Sequence, residues 1–137
     1  MKTNEEVFEA LSQLSKLGKM SKEVELEGLK IELCTLDSNE EGEIFVTCAD
    51  LTGNAYFSKV KSETLKYSIR AVNGKRLDEY KLIVEEKERD KLRKETLEKL
   101  QKILGTWDEN VIAFLYGKWA ELSKESEEDL VKKGIVK

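Results

Sequence analysis

Hydrophobic residues recur along this chain with two different periods, and the switches between them divide it into three regions. Near the start, Val7, Leu11 and Leu14 fall at i, i+4 and i+7, with Phe8 and Leu17 beside them. That spacing predicts a short helix over residues 1–18, begun by a capping-box pattern at Thr3 and Glu6 and stopped at Gly18. Its apolar stripe is narrow, so the helix must dock on the body or on a partner to be stable. The period then changes to two. Val24 and Leu26 alternate with Glu23, Glu25 and Glu27, and beyond Gly28 the residues Leu29, Ile31, Leu33 and Thr35 alternate with Lys30, Glu32 and Cys34. This predicts a β-hairpin over 22–36 turning at Glu27-Gly28, with one buried and one charged face. Two strands alone are unstable in water, so the hairpin must pack on helices or join another chain's sheet.

From Asp37 the helical period returns. Asp37 and Glu40 have the spacing of a capping box. The run Ile44-Phe45-Val46-Thr47-Cys48-Ala49 fits either a helix or a buried strand. Thr52-Gly53-Asn54 reads as a turn. A helix is expected from Tyr56 to Val72, carrying Val60, Leu65, Ile69 and Val72 and closed by Asn73-Gly74. Residues 75–82 read as a loop anchored by Leu77 and Tyr80. A charged helix follows from Ile83 to Leu104 and ends at Gly105. Thr106 and Glu109 suggest another capping box, and Val111, Ile112, Leu115, Trp119 and Leu122 form the strongest amphipathic stripe of the chain. Ser126 and Asp129 restart or extend that helix as far as Gly134. The expected architecture is α+β: a single mostly helical domain over 1–137, with a small N-terminal antiparallel hairpin or sheet packed on a C-terminal helical bundle, the helical body spanning 37–134.

Composition narrows the chemistry. The 137 residues include no histidine and no proline. Without imidazole there is no Ser-His-Asp or Cys-His nucleophile system and no Cys₂His₂ zinc site. Lys and Arg number 24 against 28 Asp and Glu, a net charge of −4, which disfavours a nucleic-acid partner. The densest basic run, Lys87 to Lys94, is interleaved with Glu85, Glu86, Glu88, Asp90 and Glu95 and reads as a solvated helix face. Cys34 and Cys48 sit in apolar surroundings, no segment resembles a signal peptide, and no apolar run approaches a membrane span. Free thiols in a cytoplasmic protein are expected.

The remaining constellations favour binding over catalysis. Glu40 and Glu41, and the triplet Glu127, Glu128 and Asp129, read as exposed first-turn helix acids that complement the helix dipole. Asp37, Asn39 and Glu41 alternate like calcium ligands, but Cys48 and Ala49 fall where the twelfth-position acid belongs. The glycines are too scattered to cradle a phosphate. No catalytic, cofactor or metal residue is therefore assigned, and no small-molecule substrate is expected. The candidate partner-binding residues are Ile31 on the hairpin and Trp107, Phe114, Tyr116 and Trp119 in the late helical segment. That helix cannot hide all its large apolar side chains on one side, so Tyr116, with Phe114, should reach the flank where aromatics anchor partners.

The order of features resembles a family. An acidic strand runs through Gly28-Leu29 into a second strand ending at Leu36. Thr64-Leu65-Lys66-Tyr67-Ser68-Ile69 leads to Val72-Asn73-Gly74-Lys75, and Trp107-Asp108-Glu109-Asn110-Val111-Ile112 precedes Tyr116 and Leu122. Over residues 22–133 this is similar to the tail-assembly chaperones and baseplate-hub assembly proteins of long-tailed bacteriophages. The resemblance implies a non-enzymatic role in virion morphogenesis in the cytoplasm of an infected bacterium or in the virion. Other tail or baseplate proteins would be the partners, with self-association as a further option, and no cofactor or metal is implied. The alternative is a cellular adaptor that binds a peptide along the hairpin edge near Ile31.

Overall fold

In the computed structural model, which describes residues 4–135, five helices and four strands occur in the order α1 (Asn4–Ser12), β1 (Ser21–Leu26), β2 (Leu29–Cys34), α2 (Ser38–Cys48), α3 (Gly53–Ser68), β3 (Ile69–Val72), β4 (Lys75–Arg76), α4 (Glu86–Leu104) and α5 (Glu109–Lys132). Short 3₁₀ turns follow α1 at Gln13–Lys16 and precede α4 at Glu79–Leu82. The strands form one antiparallel sheet in the order β1-β2-β3-β4. The fold is α+β, with the sheet packed against the helices.

The hairpin forms where the alternation places it. Glu27 and Gly28 both take left-handed backbone angles, φ 50° and 78°, giving the two-residue turn that matches strand twist. Val24, Ile31 and Val72 lie in register across three strands on the buried face. On the opposite face Glu23, Glu32, Ala71 and Arg76 form a second row. The small Ala71 side chain lets Arg76 reach over it to Glu32, at 2.6 Å.

The helix expected to continue to Val72 stops at Ser68, and Ile69–Val72 is a strand instead. A two-stranded ribbon would leave the inner edge of β2 with unpaired backbone groups; β3 satisfies them, and that long-range pairing overrides the helical spacing of Leu65, Ile69 and Val72. Asn73-Gly74 is accordingly a hairpin turn, with φ 51° and 79°. Asn73 also ties the turn to β2: its N–H donates to the Lys30 carbonyl at 2.8 Å, and its Oδ1 accepts from the Lys30 N–H at 2.9 Å. The loop expected over 75–82 holds β4 and a 3₁₀ turn, so the helical body also contributes half of the sheet.

Residues 44–48 are helical. Asp37 accepts from the Glu40 N–H at 2.8 Å while Glu40 accepts from the Asp37 N–H at 3.1 Å, which completes the capping box. Ile44 and Cys48, one turn apart, face inward. The start of α5 differs from expectation in one detail. Its N-cap is Asp108, which accepts from the Asn110 N–H at 2.8 Å, while the Thr106 hydroxyl donates back to the Ile103 carbonyl. The helix then runs unbroken through Ser126 to Lys132, so Glu127, Glu128 and Asp129 lie in its C-terminal part and not in a first turn.

The main core joins Val24, Ile31, Leu33 and Ile69 of the sheet to Leu65, Leu104, Ile112 and Leu115 of the helices. Trp107 and Trp119 pack at its margin. A smaller cluster, Ile44, Cys48 and Tyr67 with Val60 and Leu97, holds α2 and α4 against α3.

Candidate protein-binding surface

The N-terminal arm carries the largest run of unburied apolar side chains. Residues 4–17 are all exposed, among them Val7, Phe8, Leu11, Leu14 and Leu17, with Phe8 at 69%. The capping pattern expected at Thr3 and Glu6 involves residue 3, which lies outside the described residues. The arm is fixed at its root. Gly18 takes φ 74°, a backbone angle that favours glycine, and a Cβ there would crowd Leu130 Cδ1 at 3.1 Å and Ser126 Oγ at 3.3 Å. The Ser126 hydroxyl donates to the Gly18 carbonyl, and Met20 exchanges hydrogen bonds with Thr35 at 3.0 Å in each direction. Beside this root an open groove of about 640 Å³ is lined by Leu14, Leu17, Leu36, Trp119 and Leu130 among others. The protein exposes 10,041 Å², whereas a compact monomer of this mass exposes roughly 7,000 Å².

The aromatic residues singled out from sequence do not converge on one patch. Trp119 is half-buried at the groove, with its Nε1–H donating to the Cys34 carbonyl at 3.2 Å, and Tyr116 lies against it with ring centroids 5.7 Å apart. Phe114 sits elsewhere on α5, exposed, with the Lys118 ammonium 5.6 Å from its ring centre. Trp107 is half-buried against the core and lines a separate groove between α3 and α5. Ile31 does not belong to an edge at all. It is 4% exposed, on a strand paired on both sides, so its expected partner-binding role is corrected to a core role. The edges of the sheet are β1 and the two-residue β4, and β1 carries Lys22, Glu23 and Glu25, charges that discourage further pairing.

A charged network lies on the other side of α2. Arg70 Nη2 donates to both oxygens of Glu40 at 2.8 Å, and its Nε donates to the Tyr67 carbonyl at 2.7 Å. Glu40, expected to be an exposed first-turn acid, is thus a buried ion-pair member. Arg76 holds Asp78 through two bonds of 2.9 Å, which keep the Asp78 carboxyl below the usual carboxylate range. Arg93 Nη2 contacts Glu43 at 2.8 Å. Burial pushes the Glu43 carboxyl up, but hydrogen bonds from Arg93 and Tyr67 outweigh it and hold the group low. Burial raises the Tyr67 and Tyr80 hydroxyls and lowers the Lys81 ammonium. These groups border an open groove of about 840 Å³ between α2 and α4, on whose wall the exposed Val46 stands, with Phe45 next to it in sequence. Each acid in the network has a cation within contact distance, which is the arrangement of a structural cement.

Both thiols are free, Cys48 buried and Cys34 half-buried, and burial raises the pKa of each. Among the described residues no group of His, Cys, Asp and Glu is placed to hold a metal ion, and no helix is long and apolar enough to cross a membrane. Asp37, read as a calcium-like position, spends its carboxylate on the cap of α2. Sequence reasoning missed Phe45, Val46 and Phe57, exposed apolar residues on α2 and α3. The signal was present: Ile44 and Cys48 already define the inward face of α2, which leaves Phe45 and Val46 outside. Compared with family models, characterised proteins and solved structures, the chain matches none.

Proposed function

We propose that this chain is a non-enzymatic assembly protein of long-tailed bacteriophages, a tail or baseplate chaperone or a small virion subunit that acts by binding another phage protein in the host cytoplasm. The observation that supports binding is the arm: Val7, Phe8 and Leu11 on α1 and Leu14 and Leu17 just beyond it, all exposed, on a segment held at its root by Gly18. Exposed apolar surface of this kind, surrounded by acidic and basic residues, marks a protein interaction site. The direction toward tail assembly comes from the strand, Gly28-Leu29, strand opening and the Trp107 to Leu122 segment described above. In this reading the arm covers an apolar segment of a tail protein until assembly, while the net charge of −4 keeps the complex soluble. The adaptor reading would have to use the open β1 edge of the hairpin, since Ile31 itself is buried on an interior strand. Mass spectrometry of purified particles separates the two forms of the proposal. Stoichiometric presence means a subunit; absence, together with co-purification with a tail or baseplate protein from infected cells, means a chaperone. Absence from both would refute the proposal.

A further inference from the structure

We infer that the groove at the root of the arm seats a basic amphipathic segment of the partner protein, one that presents large apolar side chains on one face with Lys or Arg beside them. The inference rests on the reading of this end of the molecule as a binding surface and names the chemistry of what it takes.

The groove has an apolar lining that is ready before a partner arrives. Leu14 lies in the 3₁₀ turn after α1 and Leu17 just beyond it, and together they face Leu36, Trp119 and Leu130 across about 640 Å³. That volume is within the range of clefts that bury a ligand. The indole of Trp119 is held in place: its Nε1–H donates to the Cys34 carbonyl and the Tyr116 ring lies against it. Its polar atom is therefore satisfied within the protein, and little side-chain freedom remains to be lost on binding. A fixed tryptophan among leucines is the usual composition of an interface hot spot.

Charge selects the occupant. Asp37, Glu41, Glu127 and Lys19 are the charged residues that line the groove, three carboxylates against one ammonium, a net charge of −2. Asp37 caps α2, whereas Glu41 and Glu127 are exposed and belong to no ion pair among the described residues. A cation placed beside either acid gains attraction, and an acid placed there is repelled. The same rule excludes the nearest apolar candidate. Helix α1 carries Glu5 and Glu9 together with Val7, Phe8 and Leu11, so laying it in the groove, from the same chain or a second copy, would bring further acids to an acidic rim. The apolar lining supplies the affinity, and the exposed acids, each worth little alone in water, set which partner is accepted.

Peptide titration of the full chain tests this. The probe is a peptide of about 14 residues made of leucine and lysine, with the leucines on one helical face. Two controls accompany it: the same peptide with glutamate for lysine, and one of the same composition with the leucines spread around the helix. Calorimetry should show the first peptide binding one per chain, at least tenfold more tightly than either control. In Trp107→Phe, which leaves Trp119 as the sole tryptophan, its binding should shift the emission to the blue. Leu14→Glu, at a position 58% exposed and outside the core, should weaken binding at least tenfold with the urea midpoint unchanged. Glu41→Gln combined with Glu127→Lys should weaken it at least fivefold. No binding of the first peptide up to about 1 mM overturns the inference. So does equal binding of the glutamate peptide, or binding indifferent to Leu14→Glu and to the rim variant. Capture from infected cells is a separate readout. A chain that binds the peptide and recovers no phage protein refutes the functional proposal alone; one that recovers a tail protein and fails to bind the peptide refutes this inference alone.

Discussion

Arg70 is a buried cation that bridges separate elements of the fold, and Arg70→Met is expected to destabilise the protein more than any surface change. The guanidinium and the Glu40 carboxylate are each about 10% exposed. Arg70 supplies two hydrogen bonds to Glu40 and one to the Tyr67 carbonyl, so it joins the first turn of α2 to the end of α3 and the start of β3. Methionine fills a similar volume but leaves the carboxylate buried with only the Asp37 N–H as partner. Stranding one member of a buried ion pair costs about 3–5 kcal/mol, and the surviving capping bond places this site near the lower figure. With a urea m-value of about 2 kcal/mol/M, the midpoint should fall by roughly 1.5 M at unchanged m. Arg70→Lys should recover only part of this, since an ammonium cannot span Glu40 and the Tyr67 carbonyl together. Glu40→Gln combined with Arg70→Met should cost less than the two singles summed, with a coupling of about 1–3 kcal/mol. A midpoint shift below about 0.5 M for Arg70→Met, which is about 1 kcal/mol at that m-value, would refute the assignment of this pair as the link between α2 and the sheet.

Three further outcomes are expected. Glu27 takes φ 50°, a conformation costly for a glutamate and tolerated by asparagine, so Glu27→Asn should raise stability by about 0.5–1 kcal/mol in the same urea assay; a loss would mean that the turn is not of the two-residue kind. Asp78 is held below the ordinary carboxylate range by its hydrogen bonds from Arg76, so the stability it contributes is complete above about pH 4–5 and is lost as pH falls through the lower folded value. Thermal midpoints measured from pH 6 to pH 2.5 should therefore fall less steeply for Asp78→Asn than for the wild type, and equal slopes would remove Asp78 from the acid response. Cys48 is fully buried with a raised pKa, so iodoacetamide at pH 8 should alkylate it at least a hundredfold faster in 8 M urea than in buffer; comparable rates would show that the α2–α3 cluster opens readily.

Much of the local structure was legible because local chemistry decides it. The capping box at Asp37 and Glu40, the turn at Glu27-Gly28 and the stripe of Ile112, Leu115 and Leu122 each depend on residues within a few positions of one another. The failures share the opposite property. Ile69–Val72 is a strand because β2, about forty residues upstream, needs a partner, and helical spacing there was coincidental. Asn73-Gly74 suits a helix end as well as a hairpin, and only the pairing of β3 with β4 separates the two. Glu40 looked like a solvated helix acid because its cation, Arg70, is distant in sequence. Ile31 was placed at an edge because a third strand was not foreseen. For the binding surface, the weakness of the first helix was readable from its narrow stripe. The dispersal of Trp107, Phe114, Tyr116 and Trp119 over different faces followed from packing that no local pattern reveals.

The central claim is that the apolar arm binds a phage tail or baseplate protein. The most direct measurement is affinity capture with the tagged full chain from infected cells, wild type beside Leu11→Glu, with the recovered proteins identified by mass spectrometry. The account expects a tail or baseplate protein with the wild type and its loss with Leu11→Glu, at equal expression and equal urea midpoint. Recovery of no tail or baseplate protein by the wild type, or equal recovery by both chains, would contradict it.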